Sequence, residues 1–158
     1  MLNSDYKDML QLLLENGVRF LLVGAYAMGV HGYPRATGDI DIWVEPSEEN
    51  SSRVYRALAQ FGAPLQEIDE TTFVKPGIVF QIGVVPRRID VISTITGVAF
   101  DQAYRNRQMV EIDGLAVPVL SLEDLIQNKR ATGRDKDHID AQQLQKKRPP
   151  GPPGSPLS

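Results

Sequence analysis

Residues 21–46 read LLVGAYAMGVHGYPRATGDIDIWVEP, and the reading of this stretch decides the fold. The apolar run at residues 20–23 has the length of a buried strand. Gly24 breaks it, and residues 25–30 read as a short helix. Residues 33–38 form a loop around Pro34. Residues 39–44 alternate polar and apolar, the pattern of a strand. Side chains two apart on a strand share a face, so Asp39 and Asp41 project together while Ile40 and Ile42 turn to the core.

The flanking sequence adds helices on both sides. Ser4 reads as a helix N-cap, with Asp5 and Asp8 in the first turn, and Gly17 as the stop. Tyr6, Met9, Leu10, Leu13 and Leu14 repeat at helical spacing. Pro46 and Ser47 open a helix that runs to about Phe61, with Gly62 after it. Residues 72–74, 78–84 and 88–93 have strand character, and residues 98–105 read as a short helix. Asp113-Gly114 between residues 108–112 and 115–119 is a two-residue hairpin signal. Ser121 caps a further helix, and residues 135–145 form the last one. The expectation is an α/β (α+β) domain over residues 1–147: a mixed sheet of about five strands with helices packed on it and helices at the C-terminal end. Residues 148–158, RPPGPPGSPLS, hold five of the chain's eleven prolines and read as a disordered Pro/Gly-rich tail.

Composition narrows the function classes. The 158 residues fit one domain, and 42% hydrophobic with 23% charged residues is ordinary for a globular chain. The absence of cysteine excludes a disulfide framework and thiolate chemistry, and fits a cytoplasmic location. No run approaches the roughly 18 apolar residues of a membrane span, and the acid-bearing N-terminus lacks a secretory signal pattern. A net charge of −3 argues against a dedicated nucleic-acid binder, so stable DNA binding is not expected. The most basic stretch of the folded region is residues 129–136, with Lys129, Arg130, Arg134 and Lys136 against Asp135.

The acids carry the chemistry. Two adjacent carboxylates repel each other unless a cation or proton compensates. Their oxygens suit Mg²⁺ or Mn²⁺. Asp-Ile-Asp alone is more often the polar face of an edge strand. Two features shift that balance. Gly24 ends an apolar strand and opens a helix, a turn that can present backbone N–H groups to an anion. Asp90 is a lone acid in the apolar strand Arg88-Ile89-Asp90-Val91-Ile92, and buried strands seldom carry an unpaired carboxylate. If the two strands are neighbours, three acids meet. Such a trio can hold two metal ions roughly 3.5–4 Å apart, as in in-line phosphoryl transfer.

Gly24-Ala25, the loop with Arg35 and Thr37, Asp39-Ile40-Asp41 and the later Asp90 together resemble the motif of the DNA polymerase β-type nucleotidyltransferase superfamily. The likeness is greatest to its small bacterial and archaeal members, the minimal nucleotidyltransferases and relatives of abortive-infection toxins, and covers about residues 3–144. It implies that Asp39 and Asp41 hold two Mg²⁺ (or Mn²⁺) ions and an NTP, ATP among the candidates. It implies that Asp90 holds the second metal and helps deprotonate the attacking hydroxyl, and that Gly24 lets the backbone approach the phosphates. The implied reaction moves an NMP to a hydroxyl of a protein or RNA acceptor and releases pyrophosphate. A toxin or antitoxin partner is also implied. The family usually has Gly or Ser where this chain has Ala25, which keeps the N–H and offers no hydroxyl. The competing expectation is therefore a non-catalytic binding module of the same fold, an antitoxin or partner-docking subunit.

The remaining candidates are weighed beside their ordinary roles. Arg35 is placed to reach a phosphate or to neutralise the acids, and a solvated loop arginine is the equal alternative. Thr37 is more often a loop-closing residue than a substrate contact. Lys129 is a candidate point-charge contact to a triphosphate, although a surface lysine is the commoner case. Asp135, Asp137 and Asp140 read mainly as helix N-terminal acids, with entry into the site from the far side the lesser alternative for Asp137. Trp43, by alternation, should share the face of Asp39 and Asp41, where it is either a wall of a base pocket or, at least as often, a structural aromatic.

Overall fold

The computed structural model describes residues 2–147. Strand β1 (Phe20–Val23) is buried along its whole length, as a run of four consecutive apolar residues requires when both faces of a sheet are covered. Gly24 opens α2 (Gly24–Val30), and β2 (Asp39–Val44) returns antiparallel to β1 with Val23 opposite Asp41. Helix α1 (Ser4–Glu15) precedes this unit and α3 (Glu48–Phe61) follows it, and the two helices pack on each other. Then come β3 (Val79–Ile82), β4 (Arg88–Ile92), α4 (Phe100–Arg105), the hairpin β5 (Gln108–Ile112) and β6 (Leu115–Val119), and the packed pair α5 (Leu122–Ala131) and α6 (Asp135–Gln145). The sheet order is β3-β4-β2-β1-β6-β5, with β4 parallel to β2 and β6 parallel to β1.

The expected mixed α/β architecture is present, with six strands among the described residues rather than about five. Residues 72–74 are not a strand. They form a 3₁₀ turn because the side chains around them bond the backbone: the Thr71 N–H donates to Asp69 Oδ1 at 2.8 Å, and the Asp69 N–H to Thr72 Oγ1 at 2.8 Å. Phe73 is buried there, its N–H donating to Ser51 Oγ at 3.0 Å. The cap of α1 is Asn3, one residue before the expected Ser4, with Asn3 Oδ1 accepting from the Tyr6 N–H at 2.9 Å. Ser47 and Ser121 cap α3 and α5 as read from the sequence. Asp113 and Gly114 both take positive φ, 49° and 83°, as the two-residue turn between β5 and β6 demands. The Pro/Gly-rich segment 148–158 lies outside the described residues.

The sheet order places the acids. β2 lies between β1 and β4, away from both sheet edges, so Asp39-Ile40-Asp41 is not the polar face of an edge strand. The parallel register sets Asp39 opposite Arg88 and Asp41 opposite Asp90. Ile40, Ile42, Ile89 and Val91 fill the core beneath. Among the described residues no helix is long and apolar enough to cross a membrane.

Candidate functional site

Asp39, Asp41 and Asp90 converge on one face of the sheet, each offering a carboxylate oxygen within 4.8 Å of the others. The fit to a divalent ion is good. The donors are all hard oxygens, and they are brought together by adjacent strands. Gly24 makes room for them. Its φ is +68°, and a Cβ there would overlap Asp41 Oδ2. The glycine that breaks the sequence pattern is thus required twice, by its left-handed backbone and by the carboxylate packed against it.

The electrostatics follow from this crowding. Burial, and then the charges of Asp39 and Asp90, push the Asp41 carboxyl up to about 7, with Arg88 opposing. Asp90 is 6% exposed. Arg88 balances part of the negative charge. Its Nε donates to Asp90 Oδ1 at 2.9 Å, and its Nη2 donates to Asp90 Oδ2 at 3.1 Å and Asp39 Oδ2 at 2.9 Å. Thr37 Oγ1 donates to the other Asp39 oxygen at 2.6 Å.

Opposite the acids, α5 and α6 supply cations. A cleft of about 410 Å³ is lined by Gly24, Ala25, Arg35, Thr37, Asp39 and Asp41 together with Lys129, Arg134, Lys136 and Asp137. All five residues expected around the nucleotide therefore line one cleft. Arg35 and Lys129 are held in it by buried acids. Arg35 Nη1 donates to Asp140 Oδ2 at 2.9 Å, and its guanidinium lies 5.7 Å from the Tyr33 ring. Lys129 Nζ is 3.1 Å from Asp137 Oδ1 and 3.5 Å from Asp140 Oδ2. Arg134 Nε and Thr132 Oγ1 both donate to Asp137 Oδ2 at 2.7 Å. Burial alone would raise the Asp137 carboxyl, but the donors from Thr132, Lys129 and Arg134 outweigh it and the group sits below its ordinary value.

Three sequence readings change. The arginine that neutralises the acids is Arg88, not Arg35. It was findable by the rule that paired Asp39 with Asp41, since Arg88 and Asp90 are two apart on one strand. Asp137 and Asp140 are not simply acids at a helix N-terminus; they are 3% and 1% exposed and organise the cations of the cleft. Trp43 does not wall a base pocket. It is buried, donates from Nε1 to the Ser93 carbonyl at 3.1 Å, and meets Phe100 edge-on at 5.0 Å. His31 packs with Nε2 2.7 Å from the Leu120 carbonyl oxygen.

Solved structures share this architecture. The crystal structure of a candidate nucleotidyltransferase from Thermotoga maritima superposes with a TM-score of 0.63 at 17% identity, over 94% of this chain and 97% of that one. The solution structure of the antibiotic-resistance factor ANT(2'')-Ia gives 0.58 at 16% identity, over 89% of this chain and 80% of that one. At these identities the likeness concerns the fold. No curated protein matches the sequence. Residues 2–146 match the family model described as nucleotidyltransferase of unknown function, DUF6036. A match over nearly the whole described chain, joined to the fold and the three converging aspartates, means that the protein belongs to this nucleotidyltransferase family.

Proposed function

We propose that the protein transfers an NMP from an NTP to a hydroxyl of a protein or RNA acceptor, with Mg²⁺ or Mn²⁺ held by Asp39, Asp41 and Asp90. The observation that carries this reading is the cleft itself, in which Asp39 and Asp41, clustered with Asp90, share one lining with Lys129, Arg134 and Lys136. An NTP·metal complex matches that polarity. Its metal end suits the acids, and its phosphate tail suits the cations. The acceptor oxygen attacks the α-phosphorus, the bond to the β-phosphate bridging oxygen breaks, and pyrophosphate leaves. The hydroxyl proton passes to a carboxylate of the trio, with Asp90 in that role. A bound divalent ion would draw charge from the phosphoryl oxygens.

The chain's own residues set the geometry. Gly24 leaves space for Asp41 and for close approach of the phosphates. Thr37 fixes the Asp39 carboxylate, and Asp140 fixes Arg35 beside the path of the triphosphate. Ala25 keeps its place in the cleft with a backbone N–H and a small side chain. No observation in the site favours the non-catalytic binding module over this reading.

The test is incubation of the purified protein with each α-labelled NTP, Mg²⁺ or Mn²⁺, and a lysate with or without nuclease. Label should pass to an acceptor and be lost in Asp39→Ala. Failure to bind any NTP with either metal overturns the reading.

A further inference from the structure

The side chain of Arg88 covers the carboxylate oxygens that a metal would need. Of the four oxygens on Asp39 and Asp90, three accept from Arg88 and the fourth accepts from Thr37. Asp41 forms no ion pair with Arg88; it packs against Gly24 and lies in contact with Asp90. The backbone of Arg88 is fixed while its tip reaches the surface. Its N–H donates to the Gly38 carbonyl at 3.2 Å, its carbonyl accepts from the Tyr6 hydroxyl at 3.1 Å, and its side chain is 31% exposed. The guanidinium can thus swing away without moving β4. Among the described residues, no other cation forms an ion pair with the trio.

We propose that Arg88 is an intramolecular competitor of the divalent metal, resting on the reading of the trio as a metal site. It holds Asp39 and Asp90 by a fork of hydrogen bonds. Full ligation by all three acids then requires the guanidinium to withdraw. A triphosphate entering the cleft gives it another anion to pair with, so complete metal loading is coupled to nucleotide arrival. A positive charge a few ångströms from a divalent ion weakens that ion's binding by about tenfold or more, even with strong solvent screening.

The test is Mn²⁺ titration of the full chain without nucleotide, followed by electron paramagnetic resonance. Arg88→Gln should bind Mn²⁺ at least about tenfold more tightly than the wild type. Adding Asp90→Asn to that variant should remove the gain. A merely structural arginine predicts the opposite, because its loss would let the acids splay and weaken binding. Unchanged or weaker affinity in Arg88→Gln, with the wild type binding Mn²⁺, overturns the competitor role and leaves the proposed transfer standing. No Mn²⁺ binding by any variant overturns both. If Arg88→Gln does not fold, Arg88→Met is read instead, since methionine keeps much of the apolar stem and loses both the charge and the fork. A gain of about tenfold or more then supports the role, and no gain overturns it.

Discussion

Asp41 on β2 and Asp90 on β4 are register partners in adjacent parallel strands, so both carboxylates leave the sheet on the same face. With Asp39 they form a cluster whose mutual repulsion is only partly offset by Arg88. The consequences can be measured, because strain of this kind changes with pH, with metal and with single substitutions.

The first consequence concerns pH. The folded-state Asp41 carboxyl titrates near 7, above its ordinary 3.8. Between these values the native state holds a proton that the unfolded state has lost. Asp41 therefore contributes stability that is fully present below about pH 4 and lost as pH rises through 7. Urea unfolding without metal should show stability falling across that window, by at most about 1.4 kcal/mol per pH unit for one proton. Asp41→Asn should flatten the slope, and Mn²⁺ should reverse it.

Gly24→Ala should disturb the site and the fold together. The substitution forces a side chain into left-handed backbone and into Asp41 Oδ2. A loss of about 1–3 kcal/mol in chemical denaturation is expected, with weaker Mn²⁺ binding. Gly17→Ala carries the same positive φ with open space around it, and should cost less and leave metal binding intact.

Asp140→Asn should loosen the cationic side of the cleft. The variant leaves Arg35 without its charged fork and removes one partner of Lys129. Arg35 remains about a quarter exposed, which tempers the cost to roughly 1–3 kcal/mol. The Michaelis constant for NTP should rise by about tenfold, equivalent to about 1.4 kcal/mol. Steady-state kinetics beside thermal melts would separate the two effects.

Lys136→Ala should affect binding alone. Lys136 is exposed and lines the cleft. NTP affinity should fall by about threefold to tenfold, with greater loss at low salt, while the melting temperature stays unchanged.

Much of this arrangement was readable in the chain because it obeys short-range rules. Period-two alternation put Asp39 and Asp41 together, and Asp113-Gly114 announced the hairpin. What escaped depends on distance along the chain or on competing local bonds. Asp140 meets Arg35 across 105 residues, so helical periodicity alone showed only an acid near a helix start. Residues 72–74 had strand composition, yet the side chains of Asp69, Thr71 and Thr72 bent the backbone into a 3₁₀ turn. Trp43 followed the alternation rule in sequence, but its indole N–H found the Ser93 carbonyl and its ring found Phe100. That β2 and β4 would pair in parallel also lay beyond local pattern, since α3 and β3 intervene.

That crossover would make the proposed metal site a gauge of folding as well as of chemistry. Asp41 and Asp90 meet only after the chain between β2 and β4 has closed its loop, and a parallel pair cannot form by a local turn. An unfolded chain therefore cannot present the trio. If the trio holds the ion as proposed, Mn²⁺ binds only molecules whose central sheet is assembled and draws the population toward that state.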